Sequence, residues 1–335
     1  MTTLVTGAAG FIGFHTARAL LARGETVVGL DNLNEYYDVT LKQARLGLLE
    51  QTPGFTFAKI DLADEAAVAD LFKAHRFTRI IHLAAQAGVR YAAKDPKAYI
   101  RSNITGFQNL IDEARAQEVL HFVYASTSSV YGANTRMPFS VQEAVNHPLS
   151  LYAATKKSNE LVAHSYAHLF GLACTGLRFF TVYGPWGRPD MALFGFTKKI
   201  LQGEPIEVFN EGRHQRDFTF VDDIVSGVIA AADQPATPNT DWNSDTPDPA
   251  TSTAPWRIYN LGNSKPVALM DFIAAIEDAL GRKAELIMKP MQPGDVVATY
   301  ADIDQTRDAF NYNPKTDYRE GIARFIDWYR DFYNA

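Results

Sequence analysis

The 335-residue chain has a single cysteine, Cys174. It can form no internal disulfide, and this usage fits a reducing compartment. No apolar run is long enough to span a bilayer. The first strand-like run opens almost at Met1, leaving no room for a secretory signal, so a cytoplasmic protein is expected. Positive charge is in the minority: 32 Lys and Arg stand against 38 Asp and Glu, a net charge of −6. That balance supplies no basic stripe for nucleic acid, and any cations needed for an anionic ligand must be local. There is no internal repeat. His164 and His168 form a helical i,i+4 pair, but no third ligand or acidic base completes a zinc-like motif, so no metal is expected.

What the chain does have is apolar residues, 47% of the total, enough for a large core. Strand-like runs over 3–6, 26–30, 55–60, 79–83, 121–125 and 173–178 alternate with helix-like runs over 11–23, 41–49, 65–75, 97–116 and 152–170. This alternation predicts an α/β fold, a doubly wound parallel sheet of Rossmann type. Beyond residue 180 the pattern turns irregular and rich in Pro and Gly, which suits a smaller C-terminal substrate-binding lobe. The expected division gives 1–180, completed by about 218–262, to the parallel-sheet domain, and 181–217 with 263–335 to the lobe. Segment 234–255, dense in Pro, Thr, Asp and Asn, is expected to be a solvated insertion contributing little core; the alternative is a gating or interaction loop.

Gly7, Gly10 and Gly13 lie where the first strand meets the first helix. There a tight turn, close approach to a pyrophosphate and close helix packing each favour a residue without a side chain. A second strand follows and ends in Asp31, placed to bind adenosine ribose hydroxyls and to repel a 2′-phosphate, so NAD is favoured over NADP.

Near the middle, Ser126-Thr127-Ser128-Ser129 precedes Tyr152 and Lys156. On a helix the i,i+4 spacing puts Tyr152 and Lys156 on one face, where the ammonium can stabilise phenolate and make Tyr152 a base near neutral pH. With a dinucleotide turn, this combination predicts proton and hydride transfer at a carbinol carbon. A regulatory module that only senses NAD is the alternative from another class, but it has no need of Tyr152, Lys156 and Thr127 together.

The GxxGxxG spacing, Asp61-Leu62, His82-Leu83-Ala84-Ala85, Asn103, the hydroxyl cluster, Tyr152 with Lys156, the run 216–223 and Pro293-Gly294-Asp295 occur in one order along nearly the whole chain. In these the chain resembles the extended short-chain dehydrogenase/reductases, specifically the nucleotide-sugar epimerases and dehydratases. The resemblance implies NAD contacts from Gly7, Gly10, Phe11, Ile12, Gly13, Asp31, Asn32, Asp61, Leu62, Leu83, Ala84, Ala85, Asn103, Ser126, Tyr152 and Lys156. Relatives that dehydrate the sugar carry Asp-Glu directly after the cluster threonine, and the decarboxylating ones carry Glu where Ser129 stands. Ser128 and Ser129 supply no carboxylate, which leaves the machinery of a 4-epimerase.

Segments 34–46, 87–91 and 179–192 resemble the UDP-glucuronate 4-epimerases, whereas UDP-galactose 4-epimerases, the nearest alternative, commonly carry Asn where Thr181 lies. The resemblance implies a UDP-sugar substrate contacted by Arg90, Thr127, Ser128, Ser129, Thr181, Arg188, Arg216 and Asp295. Arg216 is expected on the diphosphate, Asp295 near the nucleoside, and Arg188 close to the sugar or in closure. It also implies a homodimer formed by the helices near 97–116 and 152–170, with Ile104, Phe107, Leu161 and Leu169 as candidate contacts.

Overall fold

The structure, a computed structural model, describes residues 1–89, 91–292 and 296–335. Arg90 and Pro293-Gly294-Asp295 lie outside the described residues.

Among the described residues twelve strands follow one another. The first six are β1 (Thr2–Thr6), β2 (Thr26–Asp31), β3 (Phe55–Lys59), β4 (Arg79–His82), β5 (His121–Thr127) and β6 (Cys174–Phe179). They are followed by β7 (Thr181–Tyr183), β8 (Ile206–Phe209), β9 (Gln215–Phe220), β10 (Trp256–Leu261), β11 (Pro266–Ala268) and β12 (Leu286–Lys289). Seven strands form one sheet in the order β10-β6-β5-β4-β1-β2-β3, paired in parallel throughout. β4, β5 and β6 have apolar runs buried on both faces, as a parallel sheet covered by helices requires. Strand order reverses at β1, which lies between β2 and β4. The crevice beyond the carboxyl ends of these strands is where ligands of doubly wound sheets bind.

The chain leaves this sheet after β6. β7, β9 and β11 make a small separate sheet, and β8 pairs with β12 in another. The helix Val221–Ala232 leads back to β10, which joins the large sheet beside β6. β5 runs two residues beyond the apolar stretch read from the sequence, so Ser126 and Thr127 belong to the strand itself.

Two expectations are corrected. The stretch 97–116 is not one α-helix: Pro96–Tyr99 is α-helical, Ile100–Thr105 is a π-helix and Gly106–Ala116 is α-helical again. Within the π segment the Asn103 carbonyl accepts from the Asn159 side chain at 2.7 Å, a tertiary bond that competes with the helical ladder and that hydrophobic periodicity does not encode. Segment 234–255 carries no helix or strand, but its end does enter the core. Ala250 and Ala254 are buried, Ser252 bonds His164 on the Leu151–Phe170 helix at 2.9 Å, and the Ala250 carbonyl accepts from the Ile258 amide. Small residues fit there where larger polar ones would not.

Candidate active site

An open cleft of about 1060 Å³ runs across the carboxyl ends of β1, β2, β4, β5 and β6 to the small sheet. The glycine turn forms one wall. Gly7 has φ +71°, and a Cβ there would lie 2.8 Å from the Ala84 amide nitrogen; a Cβ on Gly13 would run into the Gly7 carbonyl oxygen. The turn therefore fits tightly between the first helix and the chain leaving β4. The Phe11–Ala22 helix has no side-chain cap on its first amides, and its N-terminal end borders the cleft. Amides left open in this way form a site for an anion such as a pyrophosphate.

Asp31 ends β2 with only 8% of its surface exposed. Its carboxylate accepts from the Ala9 amide at 3.2 Å and the Leu33 amide at 2.8 Å. Burial raises its pKa, while those bonds and the nearby Lys42 and Arg45 oppose the rise. Asn32, Asp61, Leu62, Leu83, Ala84 and Ala85 border the same half of the cleft. Thr6 ties β4 to β1 there, since its hydroxyl bonds His82 Nδ1 at 2.8 Å and accepts from the Ala84 amide. These groups fit an NAD molecule laid along the switch point.

Asn103 is placed differently from the cleft residues. It is buried behind the wall, where its side chain accepts from the Gln86 amide and donates to the Gln86 carbonyl and the Thr155 hydroxyl. It braces Gln86, which does border the cleft.

The Leu151–Phe170 helix starts where it does because the Ser150 side chain caps the Ala153 amide, and it ends at Gly171 with φ +70°. Its first turns bring Tyr152 and Lys156 to the cleft, facing Thr127, Ser128 and Ser129 from the end of β5. Thr127 Oγ1 accepts from the Ser129 amide and donates to the Ser129 hydroxyl, both at 3.2 Å. The Ser126 hydroxyl is turned inward to the Glu160 carboxylate at 2.7 Å.

The electrostatics differ from the expectation in one respect. Burial raises the Tyr152 pKa, and the opposing influences are the Arg188 charge and a hydrogen bond with Thr127 rather than Lys156. Lys156 is itself buried and pushed down to about 8, with Glu160 as the charge that holds it up. Desolvation outweighs the i,i+4 relationship on which the sequence reading relied.

On the far side, Thr181, Arg188 and Arg216 border the cleft. Arg188 is engaged with Asp190, with Nε 3.0 Å from one carboxylate oxygen. Arg216 Nη1 donates to the Gln215 and Val297 carbonyls at 2.9 and 3.0 Å. Tyr36, Lys42 and Lys199 also border the cleft. Tyr36 and Lys42 fall within a segment whose resemblance is visible in the sequence, but only the fold turns them inward. No local motif marks Lys199.

The model of the NAD dependent epimerase/dehydratase family matches residues 3–243. The chain belongs to that family. It is 55% identical over 335 residues to an uncharacterized 37.6 kDa protein of Escherichia coli O111:H-, covering 100% of both chains. It is 47% identical over 340 residues to UDP-glucuronate 4-epimerase 4 of Arabidopsis thaliana, covering 100% of this chain and 76% of that protein. Among solved structures it resembles the UDP-glucuronic acid 4-epimerase of Bacillus cereus in complex with UDP-glucuronic acid and NAD. There the TM-score is 0.89 and identity 32%, with 99% of this chain and 100% of that chain covered.

Proposed function

We propose that this chain interconverts UDP-glucuronate and UDP-galacturonate, inverting C4 of the sugar through a 4-keto intermediate with NAD as cofactor. One observation carries the reading: a cleft that fits a dinucleotide also holds Tyr152, Lys156 and three hydroxyls, with serine at both positions where dehydration or decarboxylation would need a carboxylate. The relatives named UDP-glucuronate 4-epimerase support the same substrate.

When bound, NAD supplies a hydride acceptor at C4 and returns the hydride to the opposite face. In the proposed roles Tyr152 takes the C4 hydroxyl proton and Thr127 bridges that hydroxyl to the phenol. Arg188 and Thr127 favour the phenolate against burial, and Lys156, one helical turn on, adds its ammonium to them and binds the nicotinamide ribose. Arg216 holds the diphosphate and Arg188 lies close to the sugar or acts in closure, so the keto sugar can turn about its link to the diphosphate while remote binding energy retains it. Ser128, Ser129 and Thr181 hydrogen-bond the carboxylate. Comparing turnover of acidic and neutral UDP-sugars tests the specificity: faster conversion of UDP-glucose than of UDP-glucuronate would overturn it.

The division at residues 180, 217 and 262 is proposed as that between NAD-binding domain and substrate lobe, supported by the chain's three crossings between the large sheet and the small ones. A homodimer is proposed through the Leu151–Phe170 helix, where Leu161 is 58% and Leu169 68% exposed. Phe107 is corrected out of that surface, because it is buried in this chain's own core against Phe122 and Tyr124. Ile104 is half-buried. Light scattering distinguishes a dimer from a 37.2 kDa monomer. Among the described residues no helix is long and apolar enough to cross a membrane.

A further inference from the structure

Glu160 stands one turn beyond Lys156 and two beyond Tyr152 on the Leu151–Phe170 helix, and its side chain is fully buried. A buried carboxylate stays ionised only if its oxygens are well supplied with donors or cations. Here four contacts meet it. One oxygen accepts from the Ser126 hydroxyl at 2.7 Å and Arg178 Nε at 2.9 Å; the other takes Arg178 Nη2 and Lys157 Nζ, both at 3.0 Å. The parallel register sets Ser126 of β5 beside Arg178 of β6, so one carboxylate on the helix reaches both strands.

Ser126 immediately precedes Thr127, and the strand end it belongs to faces Tyr152 across the cleft. The carboxylate thus joins the helix that carries the Tyr–Lys pair to the strand that carries the bridging hydroxyl. We propose that Glu160 is a positioning residue for proton transfer: it fixes the end of β5 against the catalytic helix and supplies the negative charge that keeps the Lys156 ammonium protonated. This rests on the epimerase reading above and adds a residue to it.

Among the described residues, the surroundings of Lys156 leave that electrostatic task to Glu160. On its own helix it shares a face with Tyr152, which brings no fixed charge, and Lys157 is already engaged with the carboxylate. From β4 it meets His82, which burial and the Lys156 charge hold neutral, well below its ordinary pKa. On β5 Ser126 is uncharged, and Tyr124 is kept protonated by burial and by the Glu160 charge. Arg178 on β6 is paired, and Arg188 approaches from the lobe side towards Tyr152. Burial raises the pKa of an isolated carboxyl, yet the Arg178, Lys157 and Ser126 contacts hold Glu160 down at about 2, so it is an anion throughout the working range. It is the anion that supports Lys156 against desolvation.

The test compares pH profiles of UDP-glucuronate turnover by NAD-containing wild type, Glu160→Gln, and Glu160→Gln combined with Arg178→Met. The double variant removes both charges of the pair, so it leaves no unpaired Arg178 if the single variant fails to fold. With the carboxylate gone, Lys156 loses its proton at lower pH. The alkaline limb of kcat should move down by about one unit and kcat at pH 8 should fall about fivefold, with KM changed less than about threefold. A residue that only fastens helix to sheet would lower Tm and leave the limb where it was. That result in the folded double variant would overturn the proposal. Wild-type turnover in the same assay checks the epimerase reading separately.

Discussion

The Tyr36 hydroxyl donates to an Asp190 carboxylate oxygen across 3.1 Å, joining the loop after β2 to the loop after β7. Asp190 is also the ion-pair partner of Arg188. Burial first, and then the Asp190 charge, push the Tyr36 phenol up to about 12, so it remains a donor at any working pH. The bond bridges the cofactor wall and the substrate lobe. Tyr36→Phe should therefore speed release of bound NAD by up to about tenfold, the worth of one hydrogen bond, while the NAD-loaded enzyme still turns over. Unchanged release in a stopped-flow displacement experiment would mean that the bridge does not hold the cleft shut.

Removing the phenolic oxygen tests the assigned base. Tyr152→Phe keeps the ring and its edge-to-face contact with Tyr99, centroids 6.2 Å apart. Turnover should fall by about two orders of magnitude or more while UDP-sugar binding by calorimetry survives. Thr127→Val should be milder, because water or Ser128 can replace one hydroxyl. Near-normal kcat in a folded Tyr152→Phe protein would remove Tyr152 from its role.

Six of the seven strands of the large sheet were legible as apolar runs, and the glycine turn was legible because backbone geometry there restricts the residue type. Asn103 was legible as a motif but not as a brace, since its partners Gln86 and Thr155 come from segments whose proximity only the fold creates. The Tyr152–Lys156 spacing was visible, whereas the balance of burial against Arg188 and Thr127 was not, because desolvation is a property of the packed site. Glu160 looks like an ordinary helix-surface glutamate until the Ser126–Arg178 register is known.

Acid stability should depend on Glu160. Its folded pKa of about 2 lies below the ordinary 4.5, so ionisation stabilises the fold fully above about pH 4.5, and this contribution is lost as pH falls towards 2. The Glu160→Gln, Arg178→Met protein should show a shallower decline in Tm over that window than wild type. Parallel curves from differential scanning calorimetry would contradict the assignment.

Oxidation at C4 makes the sugar a β-keto acid, whose C5–carboxylate bond breaks most readily when aligned with the ketone π system. Hydroxyl donors that fix the carboxylate away from that alignment suppress carbon dioxide loss. Ser128→Ala with Ser129→Ala should raise the ratio of carbon dioxide and 4-keto-pentose to UDP-galacturonate. An unchanged ratio in a folded, NAD-containing double mutant would leave the two serines as local backbone partners only.

The most direct test is a single NMR-monitored incubation of the purified, NAD-containing protein with UDP-glucuronate. UDP-galacturonate should appear and approach equilibrium with no stoichiometric consumption of NAD, because the hydride leaves and returns within one cycle. NADH accumulating in step with an oxidised product, or UDP-glucuronate left unchanged by folded protein, would contradict the epimerase reading.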